Sequence, residues 1–383
     1  MIYKDFKNIK LSALGMGAMR LPTVGSGSNA RIDETAAEKM IAYAVEHGMN
    51  YFDTAWGYHN GQSEIVLGKA LSKYSRETWF LADKFPGYDL SNMGKVGEIF
   101  EEQLKRCGVE YFDFYLFHNV CEMNIDAYLD TQYNILDYLL KQKKNGRIHY
   151  LGFSAHGSLD VMTRFCEVYG DKMEFGQLQL NYIDWVFQGT REKVDLINGY
   201  HIPIWVMEPM RGGQLSTLSE ENSKNLKKLR PEENIHAWAF RFIQSIPNVV
   251  VTLTGVSNLE QLQENLVVYQ EEKPLSQSEM DTLLRIGESM VQKETLPCTS
   301  CRYCLDYCPQ HLDIPNLLNL YNEHCFTVTR GGLGFIAPMA LMSIPKEKQP
   351  KACIACRRCE AVCPQQIKIS EAMVDFVSKL EVT

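Results

Sequence analysis

Two cysteine runs near the end of the chain carry the most specific chemistry in the sequence. The first reads CTSCRYCLDYCP from Cys298 and the second CIACRRCEAVCP from Cys353. Both have the form C-x2-C-x2-C-x3-C-P, so Cys298, Cys301, Cys304 and Cys308 recur 55 residues later as Cys353, Cys356, Cys359 and Cys363. Closely spaced thiolates of this kind wrap a cube of iron and sulfide, a [4Fe–4S] cluster. Structural zinc is normally held by two C-x-x-C pairs separated by a loop, a pattern these runs do not follow. The other four cysteines, Cys107, Cys121, Cys166 and Cys325, stand alone among apolar residues and read as core.

The doubled run resembles the bacterial two-cluster ferredoxins, in which the fourth cysteine of each run ligates the other cube. The resemblance implies one cluster on Cys298, Cys301, Cys304 and Cys363, and a second on Cys353, Cys356, Cys359 and Cys308. Pro309 and Pro364 follow the two crossing cysteines, as that pattern expects. Composition shifts toward cysteine and proline at Lys293–Pro297, which sets a boundary between residues 1–290 and a small, mainly helical ferredoxin-like domain over 291–383.

Ahead of that boundary, short β-like runs alternate with amphipathic stretches. The expected strands are Leu14–Gly17, Asn50–Thr54, Thr78–Lys84, Phe112–His118, Ile148–Phe153, Phe175–Leu180, Pro203–Val206 and Val249–Leu253. Helix-like segments include Glu34–His47, Ser63–Lys73, Gly94–Cys107, Asp126–Asn145, Ser158–Tyr169 and Glu232–Gln244. Within Glu34–His47, Met40, Ile41, Ala44 and Val45 recur at helical spacing, Asp33 is placed to cap and Gly48 to close. Eight strands alternating with helices predict an α/β fold of the (β/α)8 TIM-barrel type. The alternative is a doubly wound sheet, but Gly15-Met16-Gly17 lacks the third glycine of a dinucleotide-binding turn.

On that frame, Phe52-Asp53-Thr54-Ala55 with Gly57-Tyr58 and Gln62-Ser63-Glu64 resembles the second-strand signature of aldo-keto reductases. Ala82-Asp83-Lys84 and Leu116-Phe117-His118 match the ends of the next two strands, and the resemblance covers residues 1–290. It implies a catalytic tetrad of Asp53, Tyr58, Lys84 and His118. Reduction of a carbonyl by hydride develops negative charge on oxygen, so a proton donor must stand beside it. A tyrosine is a weak acid at neutral pH. A buried Lys84 is expected to lower the Tyr58 pKa, with Asp53 holding the lysine charged and His118 orienting the carbonyl. Singly, each residue has an ordinary structural explanation; four together at successive strand ends are harder to explain that way.

The same resemblance implies contacts to NADP or NAD. Ser154 and Gln177 match the residues that hold the nicotinamide carboxamide, and Asp53 lies close by. Met207 falls where many members stack an aromatic ring. Gly255, Ser257, Gln261, Glu264 and Asn265 fall on the adenine side. Gly255 and Gln261 stand where many members carry the Lys and Arg that grip a 2′-phosphate, and Arg211 is a candidate substitute. The family pattern departs at Ala155, where an asparagine is usual.

A hydride carries two electrons and each [4Fe–4S] cluster passes one, so a direct relay needs a two-electron/one-electron carrier, of which flavin is the usual one. The sequence has no recognisable flavin fingerprint. Residues 297–383 hold nine Lys/Arg against eight Asp/Glu, near +1, leaving about −9 on the rest. Lys351, Arg357 and Arg358 flank the second cysteine run and suit docking of an acidic external ferredoxin or flavodoxin.

The chain has 383 residues and a net charge of −8, which opposes non-specific nucleic-acid binding. Met1–Lys7 lacks a secretory h-region, no run is apolar enough for a membrane span, and unpaired cysteines suit a reducing compartment, so the expected location is cytoplasmic. Three readings follow: an enzyme that reduces a carbonyl, or runs the reverse oxidation of an alcohol, with clusters relaying electrons to or from a partner, a nicotinamide-dependent reductase with purely structural clusters, and a redox sensor or electron-transfer adaptor without carbonyl turnover.

Overall fold

The computed structural model describes residues 1–25, 30–292, 294–298, 301–332, 334–363 and 365–382. Lys293 and Pro364 therefore lie outside the described residues. Contacts divide the chain into two units: Met1–Met210 with Leu215–Asp281, and Arg211–Gln214 with Thr282–Thr383. The division falls inside the helix Gln277–Gln292.

The first unit is a closed barrel of eight parallel strands. They are β1 (Leu14–Gly17), β2 (Tyr51–Asp53), β3 (Phe80–Phe85), β4 (Phe112–Val120), β5 (Ile148–Ala155), β6 (Phe175–Gln179), β7 (Ile204–Met207) and β8 (Val249–Thr254). All eight overlap the expected strands. Each is paired to its neighbour in chain order and β8 returns to β1, through Thr252↔Leu14 and Thr254↔Met16. Strands buried on both faces need continuous apolar runs, and in β4 every residue is buried but His118.

A feature absent from the sequence reading is an antiparallel hairpin, Tyr3–Phe6 with Ile9–Ser12. Its Phe6 meets Trp205 at 5.0 Å and Phe114 at 5.8 Å between ring centroids. These rings come from the early part of the strands, so the hairpin fills the amino-terminal end of the barrel with aromatic side chains. The polar residues are left to the opposite mouth.

The expected helix Glu34–His47 is observed over Glu34–Glu46, with the Asp33 side chain accepting from the Ala36 N–H. The expected helix Asp126–Asn145 is a correction: it is broken into Ile125–Leu129 and Ile135–Lys144. Asp130 is extended and Asn134 takes the left-handed conformation, which asparagine tolerates better than most residues.

The second unit is helical among its described residues, with Ile314–Thr329, Ile336–Met342, Arg358–Ala361 and Ile369–Val382. Asp313 caps the first of these by accepting from the Asn316 N–H, and Pro315 sits in its first turn, where its missing N–H costs nothing. Leu317, Leu318, Met373 and Phe376 form the core, and Cys304, Cys308 and Cys359 are buried with them.

Candidate active site and cysteine cavities

At the barrel mouth, the carboxyl-terminal ends of β2, β3 and β4 bring together the four expected catalytic residues. Lys84 is fully buried, and its Nζ donates to Asp53 Oδ1 at 2.6 Å and to the Thr54 carbonyl at 2.6 Å. The same ammonium lies 5.0 Å from the centre of the Tyr58 ring, which stands edge-on to His118 at 6.0 Å. Tyr58 is not on a strand. It opens a single 3-10 turn whose next residues, His59 and Asn60, have φ of 51° and 56°. This left-handed pair turns the chain sharply into the helix Gln62–Leu71.

His118 owes its aim to an irregularity in β4. The register with β5 shifts between Phe117 and Val120, and Asn119 has φ of 58°. A bulge of this kind bends a strand and redirects a side chain. It is held by the Asn119 N–H donating to Ser154 Oγ at 2.8 Å and by Tyr128 donating to the His118 carbonyl at 2.7 Å.

Burial governs the electrostatics. It raises the Asp53 carboxyl against the pull of Lys84. For Lys84, burial works downward and is outweighed by Asp53, then Tyr58 and Asp83, so the ammonium is raised and stays charged at neutral pH. Tyr58 departs from the expected direction. Burial raises it, and Lys84 offsets that rise without reversing it, so the phenol is protonated. His118 is pushed well below the ordinary histidine value by burial, then by Lys84 and His156, and is neutral.

A supporting layer went unseen in the sequence. Gln103 donates to Asp83 Oδ1 at 2.8 Å, to the Lys84 carbonyl at 3.0 Å and to Glu64 at 3.1 Å, and accepts from Tyr115 at 2.6 Å. Buried polar groups must be paired, and this lattice fixes the backbone that carries Lys84. Gln103 lies on a helix whose pattern gives no hint that it points into the barrel wall. Tyr88 stands edge-on to His118 at 5.2 Å, and burial lifts its phenol to about 12. A side chain at Gly57 would bring its Cβ to 2.4 Å from the Tyr88 hydroxyl, so the glycine before Tyr58 leaves room for Tyr88.

The residues expected to hold the nicotinamide are scattered more widely. Ser154 and Gln177 are buried on adjacent strands, β5 and β6, in register with one another. Gln177 Nε2 lies 3.8 Å from Met207 Sδ, while its Oε1 has no partner among the described residues. Beyond β8, Asn258 caps the helix Leu259–Val268, Gln261 accepts from the Ser257 N–H at 3.0 Å, and Asn265 donates to Thr254 at 2.9 Å. Glu264 is exposed on that helix and Gly255 stands open at its entrance. Arg211 belongs to the second unit, buried with its guanidinium on Gln214 and Thr327 at 3.1 Å each and 4.7 Å over Phe326.

In the second unit, the eight cysteines of the two runs line two separate hollows. Cys298, Cys301, Cys304 and Cys363 line one, and Cys308, Cys353, Cys356 and Cys359 line the other. Burial pushes the Cys304 thiol up to about 11, with Cys298, Cys301 and Cys363 adding to the rise. Among the described residues, no three His, Cys, Asp or Glu side chains converge as ligands of one ion. Cys107, Cys121, Cys166 and Cys325 are buried, as expected.

Comparison with known proteins places this geometry. The profile of the Aldo/keto reductase family matches residues 13–288. An uncharacterized oxidoreductase of Bacillus subtilis, YqkF, is 22% identical over 283 residues, which is 68% of this chain and 87% of that protein. An NADH-specific methylglyoxal reductase of Escherichia coli is 27% identical over 229 residues, 55% of this chain and 67% of that protein. Among solved structures, an aldo-keto reductase of Bacillus halodurans in its holo form aligns with a TM-score of 0.61 at 24% identity, covering 75% of this chain and 96% of that one.

Proposed function

Because the chain belongs to the aldo/keto reductase family and is an oxidoreductase, we propose that it interconverts a small carbonyl compound and its alcohol with a nicotinamide cofactor. The observation that carries this reading is the buried Lys84–Asp53 pair beside Tyr58 and His118. The nicotinamide, when bound, supplies the hydride, and a relative named for NADH use supports that choice. Ser154 and the unpartnered Gln177 Oε1 suit the hydrogen-bond needs of its carboxamide.

The rest is the work of the chain's own side chains. Tyr58 holds a proton at its hydroxyl and releases it to the carbonyl oxygen as negative charge develops there. Lys84, kept charged by Asp53, offsets the charge left on the phenolate. His118, neutral and aimed by the β4 bulge, donates a hydrogen bond that positions the carbonyl. Tyr88, edge-on to His118, walls the space beside the carbonyl.

The second unit is read as a ferredoxin-like domain, residues 291–383, with two [4Fe–4S] clusters. Cys298, Cys301, Cys304 and Cys363 would hold one, and Cys353, Cys356, Cys359 and Cys308 the other; the four thiols that line each hollow suit that donor set. Such clusters supply one-electron transfer. The exposed Lys351, Arg357 and Arg358 beside the second hollow suit an acidic ferredoxin or flavodoxin as the partner.

An anaerobic absorbance titration of the iron-loaded chain with NADPH and then NADH tests the whole reading. Cluster bleaching coupled to nicotinamide oxidation is expected, and would call for a search for flavin. Aldehyde reduction with the clusters left oxidised would make them structural or wired to a separate partner. Cofactor binding without turnover of any aldehyde or ketone would favour the sensor.

A further inference from the structure

We propose that Arg20 is the residue that selects NADP over NAD, by pairing with the 2′-phosphate. This deepens the nicotinamide reading and rests on it. Arg20 ends the 3-10 turn that follows β1, at the barrel mouth next to β8. Its aliphatic stem lies over Gly255. A Cβ built on that glycine would touch Arg20 Cδ at 3.5 Å and its Cβ and Cγ at 3.7 Å. The Arg20 carbonyl accepts from Ser257 Oγ at 3.1 Å, which ties the β1 loop to the entrance of the helix Leu259–Val268.

The local chemistry makes the arginine conspicuous. The segment Gly255–Gln261 contains no Lys or Arg. Asn258 and Gln261 are spent on capping, and Arg211 is held in the other unit by Gln214 and Thr327. Among the described residues, the half-buried Arg20 guanidinium has no hydrogen-bond or ion-pair partner. An arginine whose stem is packed but whose fork is unused is preorganised for a bidentate anion contact. A phosphate on a ribose 2′-oxygen is what distinguishes NADP from NAD, and a nearby arginine is the usual way a protein accommodates it. Here the cation reaches the β8 loop from the β1 side, with its stem beside the exposed Gly255.

The test compares NADP⁺ and NAD⁺ binding to the full, cluster-loaded chain by titration calorimetry, for the native protein and for Arg20→Met. Loss of a charge-assisted contact should weaken NADP⁺ by about tenfold or more while NAD⁺ changes by less than about twofold. The double variant Arg20→Met/Gly255→Lys returns a cation to the same space and should restore most of the NADP⁺ preference. Equal weakening of both nucleotides would assign Arg20 to the shared diphosphate and overturn the proposal, as would no change in either. Failure of the native chain to bind either nucleotide would overturn the nicotinamide reading itself. Tyr58→Phe bound as tightly as native separates the two failures, because it removes turnover and leaves the phosphate contact intact.

Discussion

Cys308 and Cys363 are exchanged between the two cysteine hollows. Each is the last cysteine of its own run, and each lines the hollow otherwise formed by the other run. The exchange ties Cys298–Cys308 to Cys353–Cys363 through both sites at once, so a metal cluster in either would cross-link segments far apart in the chain.

That exchange can be read from iron content. Two [4Fe–4S] clusters amount to about eight iron atoms per chain. With crossed ligation, Cys301→Ala and Cys363→Ala damage the same cluster, and the double variant should retain about four. If each run served its own cluster, the double variant would lose both and bind almost none.

Tyr58→Phe should lower kcat for aldehyde reduction by about 10²- to 10⁴-fold, the usual worth of a positioned proton donor. Nucleotide affinity should be unchanged. Turnover within a few-fold of native would place the proton donor elsewhere.

Lys84→Met leaves Asp53 as an unpaired buried carboxylate, which should cost about 3–5 kcal/mol in urea unfolding. Adding Asp53→Asn removes that charge and should recover a large part of the loss. A double variant no more stable than Lys84→Met would mean the pair is not what Lys84 contributes to stability.

Acid should weaken the fold through histidine. His118 is held well below 6.5 by burial and by Lys84, and His156 is lowered to about 4, again chiefly by burial. Both are neutral when folded, and the unfolded chain takes up their protons near the ordinary value. Their contribution is therefore present in full above pH 6.5 and is lost as pH falls from there toward 4. The thermal midpoint of His156→Gln should fall less steeply across that interval than the native midpoint; parallel curves would rule the residue out.

Reversing Arg357 and Arg358 to Glu should slow reduction by an acidic ferredoxin at low salt, with the difference shrinking as salt is added. Arg357 meets Glu371 at 3.4 Å and also lines the second hollow, so the variant's iron content must match that of the native chain. Rates indifferent to the reversal would dismiss this face as the docking surface.

Much of this protein was legible in its sequence because the signals are local. Alternation of apolar runs with helical periods marks all eight strands, and fixed spacing marks the cysteine runs. Asp53, Lys84 and His118 each sit at or beside a strand end, where a barrel gathers its chemistry. The hairpin that fills the barrel floor was not legible, since Tyr3–Phe6 gains its place through Trp205 and Phe114, far along the chain. The break at Asp130–Asn134 was hidden because the flanking helical pattern runs through it.

What the sequence determined by itself is therefore what depends on period and spacing: the barrel, the residue types at its mouth and the two cysteine runs. Only the tertiary structure decided where charge resides. Desolvation depends on what packs around a group, so Tyr58 is raised although Lys84 pulls it down. Partners also depend on folding: Arg211 is held within the second unit by Thr327, while Arg20, from the opposite end of the barrel's chain order, lies over Gly255 because β8 closes against β1.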